Sequence, residues 1–183
     1  MYKVYIKRVG LVDLNKVSFN ILEYLSRYHH EKRYNQSLNA WFLLQEVLYS
    51  DFNIDISRKK IYFTKNNKPY IQGIHFSISH SKDMVCLIVS DHLCGIDIEA
   101  IDDNIKHQKL VEKVLTNNEQ TIYQNSKDKL GYFVKQWTKK EAYLKCFNDG
   151  ITNINSLKIE KKVQTIKVVD YFDQEYYLSY IVK

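Results

Sequence analysis

Two carboxylates, Asp97 and Glu99, stand one residue apart in the segment Gly95-Ile96-Asp97-Ile98-Glu99. On a strand they project to one face while Ile96 and Ile98 project to the other. Like charges this close repel, and burial raises the cost of ionising both. A hard cation relieves both penalties, and Mg²⁺ needs only a few carboxylates together with phosphate oxygens and water. Standing alone, an Asp-x-Glu pair is more often a strand end carrying two solvated acids. A second stretch, WTKKEAYLK over 137–145, places Trp137, Glu141 and Lys145 four residues apart, on one face of a helix. By itself this reads as a surface Glu–Lys pair beside an apolar anchor, worth about 0.2–0.5 kcal/mol. Beside the first stretch, Glu141 becomes a third acid, for a metal or as a base, and Lys145 a contact for phosphate. In a third stretch, HFSISHSKDMVCLIVS over 75–90, Ser77, Ser79 and Ser81 alternate with Phe76, Ile78 and His80. Such a segment is either an ordinary polar turn or a set of hydroxyls, imidazole and backbone N–H groups facing an anion. His29, His30, His75, His92 and His107 have no usable partner spacing.

These side chains need elements to hold them. The chain has 183 residues, 45% hydrophobic and 26% charged, which suits one globular domain or two small halves sharing a core. A single Pro and five Gly leave no linker or low-complexity tract. The start, MYKVYIKRVG, alternates like a strand and lacks the apolar run of a signal peptide, and no apolar stretch is long enough to span a bilayer. Cys86, Cys94 and Cys146 are odd in number and lack metal-type spacing, which suits reduced thiols in a cytoplasmic protein. The net charge of +6 favours acidic partners without separating nucleic acid, a phosphorylated cofactor or an acidic protein.

Periodicity predicts a strand at 2–9, with Val4 and Tyr5 on opposite faces, and helices at 14–28 and 33–50. It predicts short strands at 61–64 and 74–79, separated by a turn at Asn66-Asn67-Lys68-Pro69. A continuously apolar strand follows at 84–90, then the acidic strand at 95–99. Helical pieces are expected at 106–114 and 117–125, and a long helix at 128–148 stopped by Asn148-Asp149-Gly150. The chain closes with strands at 156–160, 164–169 and 175–182. Tyr62, Tyr132 and Tyr177 sit in apolar patterns that suggest core burial. Each half offers similar helix and strand material, so the fold class is α+β, compatible with a pseudo-duplication.

Together and in order, the three stretches resemble the 4′-phosphopantetheinyl transferases of the surfactin-synthetase-activating type. The family pattern is approximately F-x-x-S-H-S, then G-[IV]-D-[IV]-E, then W-[ST]-x-K-E-[AS]-x-x-K. It is met here by Phe76 to Ser81, Gly95 to Glu99 and Trp137 to Lys145. Lys68-Pro69 resembles the family's G-K-P turn, with Asn67 in the glycine's place. The resemblance spans residues 67–151 and implies two similar α/β halves, 1–91 and 92–183, related by a pseudo-two-fold with the site in the cleft. It implies Mg²⁺ on Asp97, Glu99 and Glu141. It implies coenzyme A contacts by Ser79, His80, Lys68, Pro69 and Lys145, and catalytic roles for Glu141, Lys145 and Glu99.

The implied reaction moves 4′-phosphopantetheine from coenzyme A to a serine of an acidic apo acyl or peptidyl carrier protein. It releases adenosine 3′,5′-bisphosphate. A cytoplasmic monomer without membrane or nucleic-acid partners is implied as well. One departure concerns the first half. Gln36 stands where the family has an arginine for the 3′-phosphate, leaving Arg27, Lys32 and Arg33 as candidate substitutes. The competing readings are another Mg²⁺-dependent phosphoryl-transfer enzyme, such as a nuclease, and a non-catalytic basic module that stacks bases on exposed tyrosines. The three ordered blocks argue against the former.

Overall fold

The computed structural model describes residues 1–65, 68–104, 106–147, 154–157, 159 and 162–183. Along the chain come β1 (Tyr2–Arg8), α1 (Phe19–Leu25), α2 (Glu31–Phe52), β2 (Ile61–Phe63), β3 (Pro69–Ile71), β4 (His75–Ser81), β5 (Met84–Ser90) and β6 (Cys94–Ala100). Then follow α3 (Val111–Val114), α4 (Asn117–Asn125), α5 (Lys129–Phe147), β7 (Gln164–Val169) and β8 (Glu175–Val182). Two three-stranded antiparallel sheets form, in the orders β1-β5-β4 and β6-β8-β7, beside a small β2-β3 hairpin. In both larger sheets the first strand lies at an edge and the last in the middle, and a long helix precedes the closing hairpin. The protein is a mixed α/β fold.

Side-chain alternation builds the layers. On β5, Val85, Leu87 and Val89 pack with Leu38, Trp41, Leu44 and Leu48 of α2. Met84, Cys86 and Ile88 point the other way and share a core with Ile96 and Ile98 of β6 and Tyr176 and Leu178 of β8. With both faces covered, β5 is buried throughout, which explains its unbroken apolar run. On the far side of the second sheet, Ala142 and Cys146 of α5 cluster with Ile181. Hydroxyls fix that helix to the sheet: Ser179 Oγ lies 2.9 Å from both Thr138 Oγ1 and Thr165 Oγ1. Among the described residues, no helix is long and apolar enough to cross a membrane.

The structure departs from the sequence reading at several elements. The expected helix at 14–28 is split into a 3-10 turn at Leu14–Lys16 and the short α1, because Val17 and Ser18 are extended. Both the backbone N–H and the hydroxyl of Ser18 donate to Gln45 Oε1 on α2, a distant partner that outcompetes local helix. Conversely, α2 overruns its predicted end and stops at Asn53 in the left-handed conformation, φ 52°. Lys68-Pro69 is not simply turn: Pro69 opens β3, paired with Phe63 at a strand end that does not need its missing N–H. The other turn residues, Asn66 and Asn67, lie outside the described residues, as do the helix-stop residues 148–150.

The segment 106–114 breaks into a 3-10 turn at His107–Lys109 and the one-turn α3. The strand expected at 156–160 is not found at its start, where Ser156 closes a 3-10 turn, Ile154–Ser156. Residues 158 and 160 lie outside the described residues. Tyr62 is not core either: it is 37% exposed and stacks on Tyr70 on the outer face of the small hairpin, while Phe63, on the opposite face, stacks on Tyr24 of α1. Tyr132 and Tyr177 are half-buried against the cluster beneath α5, as their apolar patterns suggest.

Candidate active site

Gly95 explains how α5 comes to lie against the acidic strand. A Cβ there would stand 2.0 Å from the Ala142 carbonyl oxygen and 2.5 Å from the Cys146 nitrogen, both backbone atoms. Strand and helix therefore meet backbone to backbone. Gly95, Asp97 and Glu99 share one face of β6, so the carboxylates leave the strand on the side where α5 lies. Glu141 and Lys145 immediately precede Ala142 and Cys146 on the helix, and the same contact presents them to β6.

The sequence-selected residues meet here. Lys145 Nζ lies 2.7 Å from Asp97 Oδ1 and donates to Ser79 Oγ at 2.8 Å; Ser79 Oγ donates in turn to Asp97 Oδ1 at 2.8 Å. Lys145 is thus paired with the strand acid, and the surface Glu141–Lys145 pair is not what the helix is for. Ser81 Oγ donates to Glu99 Oε2 at 2.8 Å. Burial, and next the neighbouring Asp97, push the Glu99 carboxyl up to about 7. Glu141 is raised by burial and by Asp97 as well. Burial works against the Lys145 cation, but the charge and hydrogen bond of Asp97 outweigh it and hold the ammonium above its ordinary value.

The donor set fits a hard divalent cation. Three carboxyl groups among the described residues face the Lys145 ammonium, two of them resist ionisation, and Asp97 Oδ2 is buried without a hydrogen-bond partner. Among the described residues, no three acid, histidine or cysteine side chains already converge as metal ligands. Lys145 holds one of the Asp97 oxygens.

The serines do more than face an anion. Ser77 Oγ accepts the Ile96 N–H at 3.2 Å and Ser81 Oγ accepts the Ala100 N–H at 3.1 Å. The same 19-residue offset at both ends makes β4 and β6 parallel neighbours, joined by hydroxyls in place of a backbone ladder. His80 alternates with these serines, beside Phe76 and Ile78, which face the α2 core. Burial and then the Lys145 charge lower its pKa, disfavouring the imidazolium.

Lys68 reaches the same helix from elsewhere: its ammonium donates to the Lys145 carbonyl in the last turn of α5, and burial lowers its pKa. Lys68 and Pro69 line an apolar cavity with Ile71, Phe76, Cys94 and Cys146. Gln36 is buried, and its amide donates to the Lys82 carbonyl at 2.7 Å, a structural tie between α2 and the β4–β5 turn. Of the basic candidates, Arg27 is packed over the Tyr24 ring at 4.1 Å, while Arg33 lies near enough to His80 to depress its pKa.

Sequence reasoning passed over Lys140. It is fully buried, 2.7 Å from Glu119 Oε2, and donates to the carbonyls of Val114 at 2.6 Å and Ile154 at 3.3 Å. Glu119 also closes the capping box of α4 with Thr116. The signal was present: Phe133, Trp137, Lys140 and Leu144 fall on one helical stripe, and a lysine in an apolar stripe must be paired.

The sequence model of the 4′-phosphopantetheinyl transferase superfamily matches residues 93–182. That span carries β6, α5 and all three acids. A 4′-phosphopantetheinyl transferase, gsp, of Aneurinibacillus migulanus is 36% identical over 149 residues, covering 76% of this chain and 60% of the relative. The 4′-phosphopantetheinyl transferase HetI of a Nostoc species is 25% identical over 126 residues, 64% of this chain and 53% of the relative. A holo-[acyl-carrier-protein] synthase of Streptococcus agalactiae is 33% identical over 73 residues, 36% of this chain and 61% of the relative. The chain therefore spans roughly half to three fifths of the length of these relatives.

Proposed function

We propose that the chain, whose residues 93–182 match the 4′-phosphopantetheinyl transferase superfamily and which is 36% identical to a transferase of that name over 149 residues, is a member of that superfamily and transfers 4′-phosphopantetheine from coenzyme A to a serine of an apo carrier protein. The observation that carries the reading is the meeting of Asp97, Glu99, Glu141 and Lys145 at the β6–α5 contact, with one Asp97 oxygen buried and unpartnered.

Asp97, Glu99 and Glu141 would hold Mg²⁺. The bound ion would neutralise charge on the pyrophosphate of coenzyme A. The chain's own groups do the rest. Glu141 or Glu99 accepts the proton of the carrier serine as its oxygen attacks the β-phosphorus. In the metal-free protein burial and Asp97 raise the Glu99 carboxyl to about 7, and a bound cation would favour its ionised, proton-accepting form. Lys145 stays charged and acts as a fixed cation toward the leaving phosphate rather than as a proton donor. Ser79 orients both Asp97 and Lys145, and Ser79, His80, Lys68 and Pro69 contact coenzyme A. The products are the modified carrier and adenosine 3′,5′-bisphosphate.

The shared strand order of the two larger sheets supports two similar halves, 1–91 and 92–183, related by a pseudo-two-fold with the site at their junction. One chain then supplies the whole site, and we place it in the cytoplasm as a monomer. A net charge of +6 suits acidic acyl or peptidyl carriers. The test is incubation with coenzyme A, Mg²⁺ and an apo carrier, followed by intact mass. A carrier heavier by one phosphopantetheine supports the reading; an unchanged carrier mass overturns it.

A further inference from the structure

Lys82 follows the Ser79-His80-Ser81 block and is given no role by the sequence reading, yet its side chain joins the two sheets next to Ser81, which bonds Glu99. It occupies the tight β4–β5 turn with φ 48°, a left-handed conformation that glycine adopts without penalty and lysine does not. Its backbone is fixed from α2 by the Gln36 amide. Its side chain crosses to the second sheet. Nζ lies 2.8 Å from Asp102 Oδ2, two residues beyond β6, and donates to Gln174 Oε1 at 2.8 Å, in the β7–β8 turn. Gln174 is itself held, its amide donating to the Ile101 and Glu175 carbonyls. Hydrogen bonding from Lys82 holds the Asp102 carboxyl below its ordinary range.

The residue before Lys82 is Ser81. Its hydroxyl donates to Glu99 Oε2 and accepts the Ala100 N–H. Seam and carboxylate thus share one fixed point, and the neighbouring Lys82–Asp102–Gln174 clasp keeps it in place. A non-glycine residue in the left-handed region, with its side chain bound to a second sheet, points to a role for that side chain.

We propose that Lys82 is a positioning residue for Glu99, clamping the β4–β5 turn to Asp102 and Gln174 so that Ser81 presents the carboxylate toward Asp97 and Glu141. The inference rests on the reading of those acids as the Mg²⁺ ligands. Partners one step removed from a metal ligand, as Ser81 is, typically change affinity about 10-fold to 100-fold; Lys82 acts through Ser81, so the lower end, about 10-fold, is expected here.

The design separates backbone from side chain. Lys82→Gly removes the clasp while easing the turn, so a merely structural role predicts a protein at least as stable and fully responsive to metal. Asp102→Asn weakens the same clasp from its other side and leaves the turn untouched. The first readout is the rise in melting temperature of the full chain on adding Mg²⁺ alone, titrated to give an apparent affinity. The second is kcat against KM for the carrier. Both variants are expected to melt near the wild type without metal. They are expected to need about tenfold more Mg²⁺ for the same rise and to lose kcat, with the carrier KM unchanged. A wild type that responds to Mg²⁺, with folded Lys82→Gly and Asp102→Asn responding equally, overturns the role of Lys82 alone. A wild type whose melting is indifferent to Mg²⁺ overturns the metal reading and the Lys82 proposal with it.

Discussion

Glu99 lets the electrostatics of the site be measured without any turnover. In the folded, metal-free protein burial and Asp97 bring its carboxyl to about 7, from an ordinary 4.5. Between those values the folded state binds more protons than the unfolded one, so stability falls as pH rises through that window and levels off above it. At about 1.4 kcal/mol per pH unit, the ionised group costs the fold about 3 kcal/mol at pH 8 and about 1 kcal/mol at pH 5. Glu99→Gln removes this cost and keeps an oxygen to accept the Ser81 hydroxyl. Urea unfolding in a chelator should therefore find the variant more stable than the wild type by about 3 kcal/mol at pH 8, shrinking to about 1 kcal/mol at pH 5. Added Mg²⁺ should then stabilise the wild type more than the variant. Equal stabilities at pH 8, or a difference of the same size at both pH values, would refute the electrostatic account.

Other positions test other parts of the structure. Gly95→Ala drives a Cβ into the α5 backbone at 2.0 Å and should cost about 3 kcal/mol or more by chemical denaturation, with loss of activity, because helix and strand must separate. Lys140→Met leaves Glu119 and two carbonyls without their partner and should lower stability by about 3–5 kcal/mol; a melt like the wild type's would show that the buried pair is dispensable. Lys145→Met keeps much of the stem but removes the cation beside Asp97. Single-turnover transfer should fall at least about 100-fold, since fixed charges at a transition state are worth several kcal/mol, and unchanged turnover would deny Lys145 any role at the phosphate.

The parts of the fold and site that could be read from the sequence are those set by local periodicity. Strands β5, β7 and β8 fall at the predicted residues because alternating or unbroken apolar runs specify them. The acid pair was legible for the same reason: Asp97 and Glu99 must share a face, and Glu141 and Lys145 must share another. Interactions between distant residues were not legible. Nothing near Ser18 announces that Gln45 will stop a helix there. The serines of β4 could be read from sequence only as a polar turn or as groups facing an anion, because their partners, Ile96, Asp97, Glu99 and Ala100, lie on another strand. Lys82 carries no sequence signal for its role, because its partners Asp102 and Gln174 lie 20 and 92 residues further along the chain.

The central claim is that the cluster of Asp97, Glu99 and Glu141 supports transfer of phosphopantetheine. Its most direct test is the intact mass of an apo carrier after incubation with coenzyme A and limiting Mg²⁺, comparing the wild type with a folded Asp97→Asn protein. The account predicts that the wild type adds one phosphopantetheine to the carrier and that Asp97→Asn, or the wild type with a chelator, adds none. An unmodified carrier with the wild type, or modification by Asp97→Asn at the wild-type rate, would contradict it.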